Sequence, residues 1–173
     1  VNNSSPAAGY ARPPIGPDLF SGWTTPNPAY SDEGNPFPAE VVPRIQKNVQ
    51  LCYGDYSHRD EAFYDRYLTR HEALCREPMM GSGVWTWSKL WYDHEITAAT
   101  VAPCVAACRK HQTRELLFTM WGDNGGFCQY GSALAGLQYA SDLAYGADEA
   151  GTAARFAAIT GKDYDLTIRA GEM

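Results

Sequence analysis

Three stretches of this 173-residue sequence set aromatic rings beside groups that accept hydrogen bonds: "YGDY" (53–56), "WTW" (85–87) and "MWGD" (120–123). Tyr53 and Trp121 each precede an aspartate by two residues, Asp55 and Asp123, while Trp85 and Trp87 stand two apart. A flat ring covers the C–H face of a pyranose, and a carboxylate accepts hydrogen bonds from its hydroxyls, so this combination describes a sugar site. A phosphate site would call for basic residues or a glycine-rich helix start. The competing reading makes the rings core side chains and the aspartates caps of following helices.

The chemistry depends on where these stretches fall. "NVQLCY" (48–53), "GVWTW" (83–87) and "RELLFTMW" (114–121) have the length and apolar character of strands. Between them, 60–77 carries Phe63, Tyr67, Leu68, His71, Leu74 and Cys75 at helical spacing, and Pro78 stops it. Residues 100–111 predict a second helix, capped by Thr100 with Pro103 in its first turn. A third helix is predicted over 130–146, ending at Gly146, and a fourth from Asp148 through Ile159, ending at Gly161. Strands alternating with helices over short connections imply an α/β fold with parallel strands, whose sites lie at the carboxyl ends of the strands. Ahead of this, 1–38 holds most of the eleven prolines and reads as an irregular covering segment. The ordered unit then spans 39–161, and 162–173 reads as a tail.

Composition narrows the partners. A formal charge of −6 with no basic run argues against nucleic acid or an anionic membrane surface. No stretch reaches the roughly 20 apolar residues of a membrane span. Five cysteines, Cys52, Cys75, Cys104, Cys108 and Cys128, follow no disulfide-framework spacing, which favours free thiols and slightly favours a cytoplasmic setting. Cys104, Cys108 and His111 share a helix face, but no second ligand cluster accompanies them, so no metal is assigned. No cofactor is implied. The stretch "WYDHE" (91–95) reads as a loop after the second strand, able to bring His94 or Glu95 over the cleft or to stand in solvent.

The segment from "VPRIQKNVQLCYGDYSHRDEAFYDRYLTRHEALCREPMMGSGVWTWSKLW" to "TRELLFTMWGDNGGFCQYGSALAGLQYASDLAYG", about 41 to 161, resembles the carboxyl-terminal part of glycoside hydrolase family 20, specifically the bacterial β-N-acetylhexosaminidases. The resemblance implies part of a (β/α)8 TIM barrel, about its last three βα units. Its ligand would be a β-linked N-acetylhexosamine glycan ending in N-acetylglucosamine or N-acetylgalactosamine. On the matching positions it implies that Tyr53 hydrogen-bonds the acetamide carbonyl and that Asp55 contacts sugar hydroxyls. Trp121 would wall the acetamide pocket, Asp123 would bind hydroxyls toward O4 and O6, and Trp85 and Trp87 would line the same cleft. The family reaction retains configuration through substrate assistance: the acetamide oxygen attacks the anomeric carbon, an Asp orients it, and the adjacent Glu protonates the leaving oxygen.

Asp32-Glu33, Asp60-Glu61 and Asp148-Glu149 are this sequence's Asp-Glu pairs, and none ends an appropriate strand. They read as turn and first-turn helix charges, so the catalytic pair is expected upstream and the isolated chain is expected to be inactive. Length agrees, because a barrel takes about 250 residues. The rest of the barrel, or another copy of the chain, is the expected partner along the uncovered sheet. Gly54, Asn124 and Phe127 depart from the family pattern of Trp, Asp and Glu at these positions, which leaves substrate subtype open and admits a decayed paralogue. A non-catalytic carbohydrate-binding module or pseudoenzyme is the second reading, and a complete small α/β domain unrelated to sugar is the third.

Overall fold

The computed structural model describes residues 14–15, 42–46 and 48–172. The covering segment 1–38 therefore lies outside the described residues except for Pro14–Ile15, which form a two-residue strand, β1. Three longer strands follow, β2 (Gln50–Gly54), β3 (Met79–Gly83) and β4 (Leu116–Thr119). All pair in parallel in the order β1-β2-β3-β4. Pro14 stands on an edge strand, where a missing N–H costs no ladder bond on the outer side.

Helix α1 (Glu61–Leu74) joins β2 to β3, α2 (His94–Lys110) joins β3 to β4, and α3 (Leu134–Tyr145) follows β4. Each has a local cause. The Asp60 carboxylate accepts from the Ala62 N–H and starts α1, whose Phe63, Tyr64, Tyr67, Leu68 and His71 fall on one buried face. α2 begins six residues earlier than the sequence predicts, because Asp93 caps it by accepting from the Ile96 N–H. Thr100 is thus interior, donating its hydroxyl to the Ile96 carbonyl, and Pro103 lies inside the helix. Gly146 closes α3 in the left-handed conformation at φ 70°, which a side chain would strain.

Side-chain alternation assigns the two faces of the sheet. Tyr53, Met80, Leu116 and Phe118 face the helices: the first two join Phe63, Tyr64, Tyr67, Leu68, Cys104, Ala107 and Cys108 in one core cluster, and the last two pack on Val101, Val105 and Ala140. Fully burying a side chain such as Leu68 or Met80 is worth roughly 1.5–3 kcal/mol, so this layer supplies much of the folding drive. Because α1 packs on α2 and α2 on α3 over this one face, the crossover helices form a single layer. The other face bears Cys52, Gly54, Gly81, Gly83, Leu117 and Thr119, mostly small residues.

Two expectations change. The second strand is 79–83, not 83–87; "MMGSG" shows no apolar alternation because Gly81 and Gly83 take two of its outward positions and Ser82 an inward one. Residues 162–173, expected as a tail, contain α5 (Tyr164–Arg169), which packs on α4 (Thr152–Thr160). Tyr164 and Phe156 join Val84, Tyr92, Ala133 and Ala135 in a second core that binds the β3–α2 connection to α3, α4 and α5. All five cysteines are free.

Candidate functional site

The parallel register brings the three strand ends to one end of the sheet, with Gly54 beside Gly81 and Gly83 beside Thr119. The chain leaving them carries rings that converge. Trp85 and Trp87 lie 4.1 Å apart between centroids at 36°. Tyr56 meets Trp87 edge-on at 5.6 Å and Trp121 at 6.3 Å. All four rings are half-buried. Gly83 lies beneath two of them: a Cβ there would stand 2.8 Å from both Trp87 Cη2 and Tyr56 Cδ1, closer than side chains tolerate.

Backbone and side-chain bonds hold the loops that carry these rings. Thr86 Oγ1 donates to the Trp121 carbonyl at 2.8 Å, Trp85 Nε1 donates to Ser88 Oγ at 2.6 Å, and the Trp85 N–H donates to Thr97 Oγ1 on α2. Trp121 Nε1 is buried and has no hydrogen-bond partner among the described residues, so one donor at the cluster is unspent. Asp123 begins a short 3-10 turn, Asp123–Gly125, with its side chain exposed.

The other sequence candidates are placed differently. Tyr53 is 1% exposed, on the sheet face opposite Gly83, stacked on Tyr67 at 5.3 Å and His71 at 4.9 Å from α1. Its hydroxyl has no partner among the described residues, and burial, reinforced by the Asp55 charge, raises its pKa far above the ordinary tyrosine range. It stays a neutral phenol. Asp55 is occupied by its own turn: it accepts from the N–H groups of Ser57 and His58, from Tyr64 Oη, and bonds His58 Nδ1 at 2.8 Å. The structure thus brings Trp85, Trp87 and Trp121 together and sets Tyr53 and Asp55 against α1.

Of the Asp-Glu pairs, Asp32-Glu33 lies outside the described residues. Asp60 and Asp148 accept from the N–H groups of Ala62 and Ala150 as helix and turn caps. "WYDHE" is not a free loop: Asp93 caps α2, Lys89 pairs with it at 2.6 Å, and His94 is the first helical residue, edge-on to Tyr92, Tyr139 and Tyr164. Burial lowers the His94 pKa. Cys104 and Cys108 are core residues, while His111 bonds Asp65 and Glu72 of α1 at 2.8 and 2.9 Å. Among the described residues no group of three His, Cys, Asp or Glu side chains is arranged to hold a metal, and no helix is long and apolar enough to cross a membrane.

No protein-family model and no curated protein matches the chain. Any family assignment therefore rests on the residues themselves. Tyr56 and Gly83 are the two members that sequence reasoning missed. Tyr56 lay within "YGDY", but it falls in the bend after β2 ends at Gly54, where strand alternation no longer says which way a side chain turns.

Proposed function

We propose that this chain forms the carboxyl-terminal βα units of a sugar-binding TIM barrel of the β-N-acetylhexosaminidase kind, with Trp85, Trp87 and Trp121 as walls and Asp123 as an acceptor for ligand hydroxyls. One observation supports this most: rings from three strand ends meet through Tyr56, which with Trp87 lies over Gly83, at the carboxyl end of a parallel sheet whose crossover helices all lie on one face. That is where barrels and related folds collect ligand groups. The half-buried rings present faces to ligand C–H groups, and exposed Asp123 can accept hydrogen bonds from hydroxyls.

The family's chemistry needs an Asp to orient the acetamide and a Glu to protonate the leaving oxygen. The aspartate of each described Asp-Glu pair is engaged as a cap, which favours a binding role for the ring cluster, whether within a hydrolase completed by other strands or within a non-catalytic carbohydrate-binding module. Tryptophan fluorescence during titration with N-acetylglucosamine tests the reading. A saturable change is expected, weakened at least tenfold by Trp121→Ala, with no release of chromophore from a β-N-acetylglucosaminide by the 173-residue chain. Absence of any saturable change would sink the sugar assignment.

A further inference from the structure

Resting on that reading, we infer that Tyr56, seated by Gly83, is a wall of the sugar site, and that Tyr53 is not. Two tyrosines flank the Gly54-Asp55 pair: Tyr53 lies within β2, whereas Tyr56 lies in the bend that follows it, and the two come to opposite sides of the sheet. Tyr53 pairs in register with Met80 and enters the helix-facing core, where it is closed off between Tyr67 and His71. Tyr56 lies over Gly83, three residues beyond Met80 and hence on the other face, beside Trp87 and Trp121. Its ring meets both Trp87 of the chain leaving β3 and Trp121 of the chain leaving β4, and so sits between the two.

Gly83 shows how little freedom the arrangement has. A methyl at residue 83 would approach Trp87 Cη2 and Tyr56 Cδ1 at 2.8 Å each, and Trp87 Cζ3 at 3.2 Å. Gly83 lies within β3, where glycine weakens a strand, and its backbone is not in the left-handed region that would require one. Close approach of two rings is the demand that explains it. The geometry suits an uncharged ligand ring held against an aromatic wall; Tyr56 acts as a specificity-determining contact and Gly83 as a positioning residue acting through it.

The test compares N-acetylglucosamine affinity, read by tryptophan fluorescence, for wild type, Tyr56→Ala, Gly83→Ala and Tyr53→Phe, with thermal melts on each. Tyr56→Ala and Gly83→Ala are expected to weaken binding about tenfold or more, and Tyr53→Phe to change it less than twofold. In wild type, saturating N-acetylglucosamine is expected to slow nitration of the half-buried Tyr56, a readout independent of whether a variant folds. Wild-type binding with unchanged affinity in Tyr56→Ala, or with Tyr56 nitrated equally fast in both conditions, overturns the inference while leaving the sugar reading intact. No wild-type binding at all overturns both.

Discussion

Thr86 Oγ1 donates to the Trp121 carbonyl oxygen at 2.8 Å across 35 residues of sequence, tying the chain that leaves β3 to the chain that leaves β4. Thr86 is 2% exposed, so its hydroxyl sits in a buried position and the bond is shielded on that side. Thr86→Val keeps the shape and leaves the acceptor unpaired, for an expected loss of about 1–2 kcal/mol in urea-monitored stability. The near-ultraviolet circular dichroism of the tryptophans is expected to weaken in the folded variant as the two loops part.

The buried Tyr53 hydroxyl predicts an effect of opposite sign. It is desolvated without a partner among the described residues, so Tyr53→Phe discards a polar group that the fold does not satisfy. Its stability is expected to be unchanged or up to about 1 kcal/mol higher, measured by chemical denaturation. A loss above about 1 kcal/mol would reveal a bond to the hydroxyl.

Asp142 gathers three neighbours: Gln138 Nε2 at 2.9 Å, Thr152 Oγ1 at 2.7 Å, and Arg155 through Nε and Nη2 at 3.0 Å each. Burial alone would raise its pKa, but Arg155, Thr152 and Gln138 together hold it below the ordinary value. The carboxylate thus contributes stability that is present above the unfolded pKa of about 3.9 and is lost as pH falls through the folded one. Asp142→Asn is expected to cost about 2–3 kcal/mol at pH 7, since Arg155 and Thr152 lose a charged partner, and to flatten the acid limb of the stability curve.

His71 works in a higher pH window. Burial, helped by the Arg70 charge and opposed by the bond to the Tyr67 carbonyl, lowers its pKa from 6.5. Above pH 6.5 both folded and unfolded chains hold it neutral; below that, the unfolded chain takes the proton first, so stability declines as pH falls toward the folded pKa. Half-buried His94, whose pKa desolvation also lowers, acts in the same direction. The melting temperature is expected to fall between pH 7.5 and 5.5, and the slope to shrink in His71→Phe.

Gly136 on α3 faces Val84 Cγ1 and the Tyr92 ring, which a Cβ would meet at 2.6 and 2.9 Å. Both neighbours are wholly buried, leaving the helix no direction in which to yield. Gly136→Ala is expected to lose about 1–3 kcal/mol despite its better helix propensity, as measured by urea denaturation.

The sequence made the alternation of elements legible because α1, α3 and the strands β2 and β4 carry strong apolar periodicity between clear stops such as Gly146. It hid β3, where Gly81 and Gly83 break any apolar alternation, and so shifted that strand onto Val84-Trp85. It also hid the start of α2, because an aspartate cap looks the same in a loop as at a helix. Trp85, Trp87 and Trp121 were legible as strand-end rings from their spacing. Which way Tyr53 and Tyr56 point was not: a change of one residue in strand phase exchanges the two faces for Tyr53, and Tyr56 lies beyond the end of β2, where alternation stops.

Trp91 Nε1 donates to the Thr167 carbonyl at 2.7 Å, and Gly171 fits closely over Trp91 and the Tyr92 carbonyl. These partners are separated by 76 residues of chain. During synthesis at about 5–20 residues per second, the connection bearing the tryptophans must wait roughly 4–15 s for the helix that fastens it. The sheet can therefore form on the ribosome well before its ring-bearing rim is locked, and that interval is when the rim is open to chaperones or to a misplaced neighbour.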